Sequence, residues 1–366
     1  MNNRTKHELA RLAKSPADYA RFKLAGRHVE QWEDGIHLDT GAPNIEWWYS
    51  DCTLDDGSQL AVIHCTKDAS RSNQPLEPLI EIDLDLPDGR RMMKYGYFKP
   101  EEFEASKDRC DVRIGQYRFT GDLHEYHITG AAEDLSAEIH IESLTEPWRP
   151  ATGNIVFGPE GHDIFGWTPA VPFGKATVTY RIGTEVHQAT GTGYHDHNWC
   201  TKEMGQMLDH WWWAKGQVGP YMFISAHIVT AKKYGYTPVH FFMLSRDGKV
   251  VADDDEKVSF TTSGSEIDEH TGKPVPDAIC FDYQDGDTRY TMSYLRQKTM
   301  VSQKILDFAK GWQKAVGEMI RYPGGYLRFE ALVTLESYKG GQVVEHYESE
   351  GVFEQMYFGQ KIDFEQ

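Results

Sequence analysis

Ile45–Thr66 reads IEWWYSDCTLDDGSQLAVIHCT, two β-prone runs flanking Asp55-Asp56-Gly57. Asp-Gly between runs rich in Trp, Tyr, Val, Ile and Thr signals a β-hairpin. The format recurs at Ile80–Leu86, Pro87-Asp88-Gly89 and Arg91–Phe98. Asp111–Thr120, His124–Thr129 and Ser136–Ser143 continue it, the last with Ala137, Ile139 and Ile141 alternating against Glu138, His140 and Glu142. Ala176–Ile182 and Gln188–Trp199 close the first half. The second half holds further strand candidates, among them Trp211–Lys215, Tyr221–Thr230, His240–Arg246, Ile279–Tyr283, Tyr326–Tyr338 and Gln342–Phe353. Short strands at regular spacing between Gly- and Asp-rich turns predict an antiparallel sandwich or barrel.

Residues 1–30 read instead as helical, with Ser15-Pro16-Ala17-Asp18 supplying an N-cap serine, a first-turn proline and a first-turn acid. Val301–Gly317 offers a second short helix, weakened by Gly311. The expected organisation is therefore an N-terminal arm over 1–43, a β-domain over 44–204 and a second β-domain over 205–366. At 366 residues the chain is too long for one ordinary domain and suits two.

Against 38 Lys and Arg stand 56 Asp and Glu, a formal charge of −18. A field of that sign repels phosphate backbones and anionic lipid, which argues against nucleic-acid and membrane-surface partners. No apolar run approaches the ~18 residues of a membrane-spanning helix, and MNNRTKHELARLAK contains no apolar targeting core. The five cysteines (Cys52, Cys65, Cys110, Cys200, Cys280) are scattered and form no CxxC pair, which speaks against a disulfide framework and a thiolate zinc site. A cytoplasmic setting is expected, and a homodimer is compatible with the sequence.

Three stretches carry candidate chemistry. In Gly191–Cys200, GTGYHDHNWC, strand alternation puts His195, His197 and Trp199 on one face and Tyr194, Asp196 and Asn198 on the other. Imidazoles buried side by side need partners. The HxH spacing suits a metal, with Glu46 or His64 as a third ligand, but a histidine working as proton donor or acceptor needs none. In Glu46-Trp47-Trp48-Tyr49, Glu46 shares a face with Trp48, and an acid desolvated beside an indole becomes a proton donor nearer neutral pH. In His210-Trp211-Trp212-Trp213, Trp211 and Trp213 share a face and would wall an apolar cavity or fill a barrel. There is no Walker lysine motif and no GxSxG elbow, and Gly191-Thr192-Gly193 lacks the third glycine and following helix of a dinucleotide loop. No cofactor and no metal are expected.

GYHDHNW at Gly193–Trp199, EWWY at Glu46–Tyr49 and WWWAK at Trp211–Lys215 resemble the CrtC/AttH-like family of carotenoid 1,2-hydratases, kievitone-type hydratases and fungal Diels–Alderases. WTPAVPF at Trp167–Phe173 and Gly351–Tyr357 share the resemblance. It implies an all-β chain of two lipocalin-like antiparallel barrels packed together, a pocket bordered by both, and cofactor-free chemistry on a lipophilic prenyl, polyene or polyketide substrate. In the hydratase branch an alkene is protonated and water captures the cation, which implies roles for His197 and Trp199 here. Those hydratases also carry Tyr-x-Asp on the strand after the aromatic run. The corresponding Tyr221–Ile228, YMFISAHI, has no carboxylate.

Acid–base work is therefore expected of Glu46, His195 and His197. Substrate contact is expected of Trp48, Tyr49, Asp196, Asn198, Trp199, Trp211 and Trp213. Hydration, dehydration or isomerisation of an alkene-containing small molecule is the leading reading. Non-catalytic binding of an apolar metabolite and pericyclic cyclisation are the alternatives.

Overall fold

The computed structural model describes residues 9–68, 71–307 and 324–359. The chain is nearly all β, with two short α-helices, Pro16–Arg21 and Met204–Met207, among the described residues. Two compact units divide between Met204 and Gly205: Arg11–Met204, and Gly205–Gln366 together with Met1–Ala10.

The first unit is built on strands β1 (Ala10–Leu12), β2 (Ile45–Leu54), β3 (Gln59–Cys65), β4 (Leu79–Asp85), β5 (Arg91–Tyr97), β6 (Phe103–Ala105), β7 (Asp111–Ile114), β8 (Tyr117–Gly121), β9 (Glu125–Ala132), β10 (Leu135–Ser143), β11 (Asn154–Phe157), β12 (Asp163–Ile182) and β13 (Glu185–Cys200). Their order is β5-β4-β3-β2-β13-β12-β10-β9-β8-β7-β6, with β11 beside β12 and β1 beside β11. The sheet curls on itself. His64 of β3 bonds across the interior to the Thr129 carbonyl of β9 at 2.9 Å, although those strands stand five places apart in the order. A Cβ on Gly130 would come within 3.0 Å of Val62 and Ile80, so glycine is what lets the far walls meet. Alternate residues Leu60, Val62, Ile80, Ile82, Ile128, Ile139 and Ile141 fill the core, each worth roughly 1.5–3 kcal/mol on burial.

The second unit holds a nine-stranded antiparallel sheet of the same kind. In spatial order it runs Lys249–Ala252, Pro238–Arg246, Tyr221–Thr230, Leu208–Val218, Gln342–Tyr357, Gly325–Lys339, Thr288–Lys304, Ala278–Asp285, Val258–Ser263. It also curls, since Phe242, second in that order, stacks on Tyr283, eighth, at 5.8 Å.

The hairpins fall where the turn residues placed them, with three differences. Asp111–Thr120 is two strands, because Gly115 takes a positive φ of 59° and turns the chain. Ala176–Ile182 is the end of a 20-residue strand that takes in Trp167–Phe173. β12 stays paired to β13 through two register shifts, between Thr168 and Val171 and between Val171 and Gly174. Pro169 and Pro172, which have no N–H to give a ladder, lie in those shifts.

The third difference is the N-terminal segment. Among its described residues only Pro16–Arg21 is α-helical, capped by the expected Ser15, which forms a capping box with Asp18. Residues 11–43 belong to the first contact unit, and Gln31–Asp34 forms a single 3-10 turn. Val301–Lys304 ends a strand and Ile305–Asp307 is a 3-10 turn, while the rest of the expected helix over Val301–Gly317 lies outside the described residues.

One glycine is demanded by the site described next. Gly166 pairs with Trp199 in register, and a Cβ there would fall 1.8 Å from the indole Cε2. Gly166→Ala must push that indole aside, so urea unfolding is expected to show a loss of about 1–3 kcal/mol or more. An unchanged midpoint would mean that Trp199 does not lie over β12.

Candidate functional site

β13 is paired with β2 so that His197 opposes Trp48, Trp199 opposes Glu46 and His195 opposes Ser50. The alternate set pairs Asp196 with Tyr49, Asn198 with Trp47 and Tyr194 with Asp51. From Gly193 to Cys200 the strand is buried on both faces. Each face carries its own polar network.

The inner network is centred on two carboxylates. Glu46 Oε1 accepts from the His37 backbone N–H (2.7 Å) and from His197 Nε2 (2.9 Å), and Oε2 accepts from the Leu38 N–H (2.8 Å). Asp34 Oδ2 accepts from His195 Nε2 (3.0 Å) and from the Tyr126 hydroxyl (2.5 Å), while the Asp34 carbonyl accepts the Trp48 indole N–H (3.0 Å). The other nitrogen of His195, Nδ1, faces the Tyr49 carbonyl at 2.8 Å. A carboxylate and a carbonyl can only accept, so both His195 nitrogens donate and the ring is an imidazolium. Burial opposes that charge, but Asp34 and the Tyr49 carbonyl hold the His195 proton above the ordinary imidazole value. Burial likewise pushes Asp34 up, and the neighbouring His195 and His197 more than offset it, leaving Asp34 below the usual carboxylate range.

Flat rings close this network. Trp48 stacks on His197 at 4.5 Å, His37 stacks on Trp199 at 4.0 Å, and Phe119 and Tyr126 pack on His195. Asp34, Cys110 and His195 have ligand atoms near enough to share an ion. With both its nitrogens donating, however, His195 has no lone pair for one. Nδ1 of His197 has no hydrogen-bond partner among the described residues and lies 3.6 Å from Asp34 Oδ1.

Glu46, His195 and His197 were expected to carry acid–base catalysis. The structure brings them together but leaves each 0% exposed, so nothing as large as a water molecule touches them. Trp48 (0%) and Trp199 (5%) are enclosed with them. The arrangement is a buried ion-pair network.

The outer face differs. Asp196 Oδ2 accepts from the Trp167 indole N–H (2.8 Å) and the Tyr194 hydroxyl (2.7 Å), and Oδ1 accepts from the Asn198 amide (2.6 Å). Burial raises the Asp196 carboxyl above its ordinary value even against those three donors. Asp196 is itself only 7% exposed, and beside it Tyr49 and Trp47 are half-buried. Tyr49, Asp196 and Asn198 thus do gather, on the face opposite Glu46. Trp211 and Trp213 belong to the second unit. Alternation along Leu208–Val218 turns Trp212 into that unit's core and leaves Trp211 and Trp213 half-buried on the other face. There Trp211 Nε1 donates to Glu354 (3.4 Å), and Lys215 Nζ sits 5.9 Å from the Trp213 ring.

Two residues that sequence reasoning missed are Asp34 and His37, both in the segment read as an arm. Asp34 is pinned by Tyr126 and Trp48, and its neighbour Glu33 forms a buried ion pair with Arg149. A buried HxH pair calls for counter-charge, but 56 acids were available to supply it and no spacing singles out this one.

Residues 37–358 match the Diels-Alderase-like family, and the chain belongs to it. Over 85 residues the chain is 29% identical to the quinolone epoxide rearrangement protein penF of Penicillium thymicola, a match that spans 22% of that protein. Among solved structures, CghA superposes with a TM-score of 0.62 at 14% identity, covering 93% of this chain and 99% of that one. A putative AttH (NE1406) from Nitrosomonas europaea gives 0.60 at 16%, covering 92% and 99%. Kievitone hydratase from Nectria haematococca gives 0.53 at 13%, covering 91% and 94%. At these identities the likeness is one of fold, the AttH-like fold expected from the motifs.

The ion pair makes a pH-dependent contribution. His195 holds its proton more tightly folded than unfolded, so its share of stability is complete below the unfolded imidazole value of about 6.5 and fades as pH rises through the folded value. Asp34, held low, contributes above about 3.9 and loses that contribution as pH falls through its folded value. Asp34→Asn leaves His195 without counter-charge and is expected to cost about 3–5 kcal/mol in urea unfolding at mildly acidic pH. The deficit should shrink in alkali, where His195 sheds its proton. An equal deficit at every pH would contradict the ion pair.

Proposed function

We propose that the chain is a cofactor-independent enzyme acting on a lipophilic, alkene-containing small molecule of prenyl, polyene or polyketide type, by proton transfer at Asp196. The observation that carries this reading is the buried Asp196 carboxyl, pushed towards its protonated form by desolvation and set beside half-buried Trp47 and Tyr49. The family membership supports it, as do similar proteins named for an epoxide rearrangement and a hydratase.

An alkene hydration at this row would use the residues present. Asp196 gives its proton to one alkene carbon, and the cation formed at the other carbon lies against the Trp47 and Tyr49 faces, which attract positive charge. Trp167, Tyr194 and Asn198 already point donors at Asp196, so the carboxylate left behind is stabilised without rearrangement. Water then bonds to the cation and returns a proton to Asp196. Loss of a proton in place of water addition gives isomerisation, and the reverse sequence gives dehydration. Glu46, His195 and His197 take positioning roles, because His195 holds the Tyr49 backbone from beneath.

Incubating the protein in D2O with a panel of prenylated and polyene alkenes, followed by mass spectrometry, tests this. Deuterium should enter the recovered compound, and Asp196→Asn should slow uptake by about 100-fold or more. Full turnover by Asp196→Asn would overturn the assignment. The family's name favours a second reading, catalysis by holding a folded polyene. It predicts a cyclised product without deuterium and a larger loss from Trp47→Ala than from Asp196→Asn. Recovery of every compound unaltered would leave a binding protein.

A further inference from the structure

We propose that the outer surface of β9 and β10 carries a divalent transition-metal site made by Glu125, His127 and His140, separate from the β13 networks. The alternation that buries Tyr126, Ile128, Ile139 and Ile141 sends Glu125 and His127 of β9, and Glu138, His140 and Glu142 of β10, outward. Register sets His127 directly opposite His140 and Glu125 directly opposite Glu142. Two imidazoles and two carboxylates therefore occupy a two-by-two block on one face of one hairpin.

Distances within the block suit an ion. One ligand atom from each of Glu125, His127 and His140 lies within 4.8 Å of the other two. Nε2 of His140 is 4.0 Å from Glu125 Oε2, and a small rotation of the exposed Glu125 side chain closes that to the roughly 3.4 Å edge of a tetrahedral site with bonds of about 2.1 Å. The imidazole rings face each other at 4.5 Å and 27° and make no side-chain hydrogen bond among the described residues, so their nitrogens are not committed as those of His195 are. The donor set, two imidazoles and a carboxylate, is borderline in softness and suits Zn(II), Ni(II) or Cu(II) better than Mg(II) or Ca(II). Glu142, opposite Glu125 in register, adds negative charge to the same face. A chain of formal charge −18 adds a favourable field for any cation. Bound metal would clip β9 to β10 across the turn at Glu133-Asp134.

Titration calorimetry of the full chain, freed of metal by chelator, with Zn(II) as the probe is the test. One Zn(II) per chain and an upward shift in Tm are expected. The double variant His127→Ala/His140→Ala should abolish both effects. Glu125→Gln should weaken binding at least about tenfold, a loss that even an outer-shell partner produces. These residues are on the surface, so far-UV circular dichroism of the variants should match the parent. His346→Ala, which removes a different exposed histidine flanked by Glu336 and Glu348, serves as the control and should change nothing. Zinc binding that survives the double variant, or falls equally in His346→Ala, is adventitious and overturns the site.

Discussion

An imidazolium sealed in a β-barrel is the constraint from which the rest of this site follows. His195 has an acceptor at each nitrogen, the Asp34 carboxylate on one side and the Tyr49 carbonyl on the other, and no contact with water. Taking such a charge out of water costs several kcal/mol unless its partners are held rigidly. The surrounding chain supplies that rigidity. Tyr126 and the backbone of Gln31–Asp34 fix the carboxylate, and β2 fixes the carbonyl. A segment that would otherwise be a loose N-terminal extension is thereby tied into the core by its most polar residue.

The same strand then does two jobs, one on each face. Facing in, His195, His197 and Trp199 knit Asp34, Glu46 and His37 into a closed network. Facing out, Tyr194, Asp196 and Asn198 form a short row in which the central carboxyl is held by both neighbours and by Trp167 across the ladder. The two prolines of Trp167–Phe173 matter here. By interrupting the β12 ladder opposite this segment, they shift the register so that Trp167 stands beside Asn198 and Thr168 beside His197. Local disruption of a sheet next to a site is a common way of aiming side chains.

Much of the fold was legible in the sequence because period-2 alternation and Asp-Gly or Gly turns are local signals. The hairpin at Ile45–Thr66 and the alternation in Ser136–Ser143 needed no information from elsewhere. The division of β13 into two faces was equally legible. What alternation cannot tell is which face is accessible, since both sides of Tyr194–Trp199 are buried and both carry ionisable groups. Glu46, paired with indoles on paper, turned out to be saturated by backbone N–H donors from His37 and Leu38, which no spacing rule reveals. Asp34 was invisible for a related reason: its partners are 92 and 161 residues away along the chain. Gly115 and the two prolines show the opposite case, where a residue known to bend or break strands was present and could have located the turn in Asp111–Thr120 and the shifts in β12.

The proposed proton donor lies on the outer face of β13, while Asp34 on the inner face stays ionised. A pH titration of the protein labelled with 13C at the aspartate side-chain carboxyls measures this directly, with Asp196→Asn and Asp34→Asn assigning the two signals. The account predicts that Asp196 takes up its proton above the ordinary aspartate value of about 3.9, and that Asp34 remains ionised well below it. An Asp196 signal that titrates at or below that value, or an Asp34 signal that titrates above it, would contradict the account.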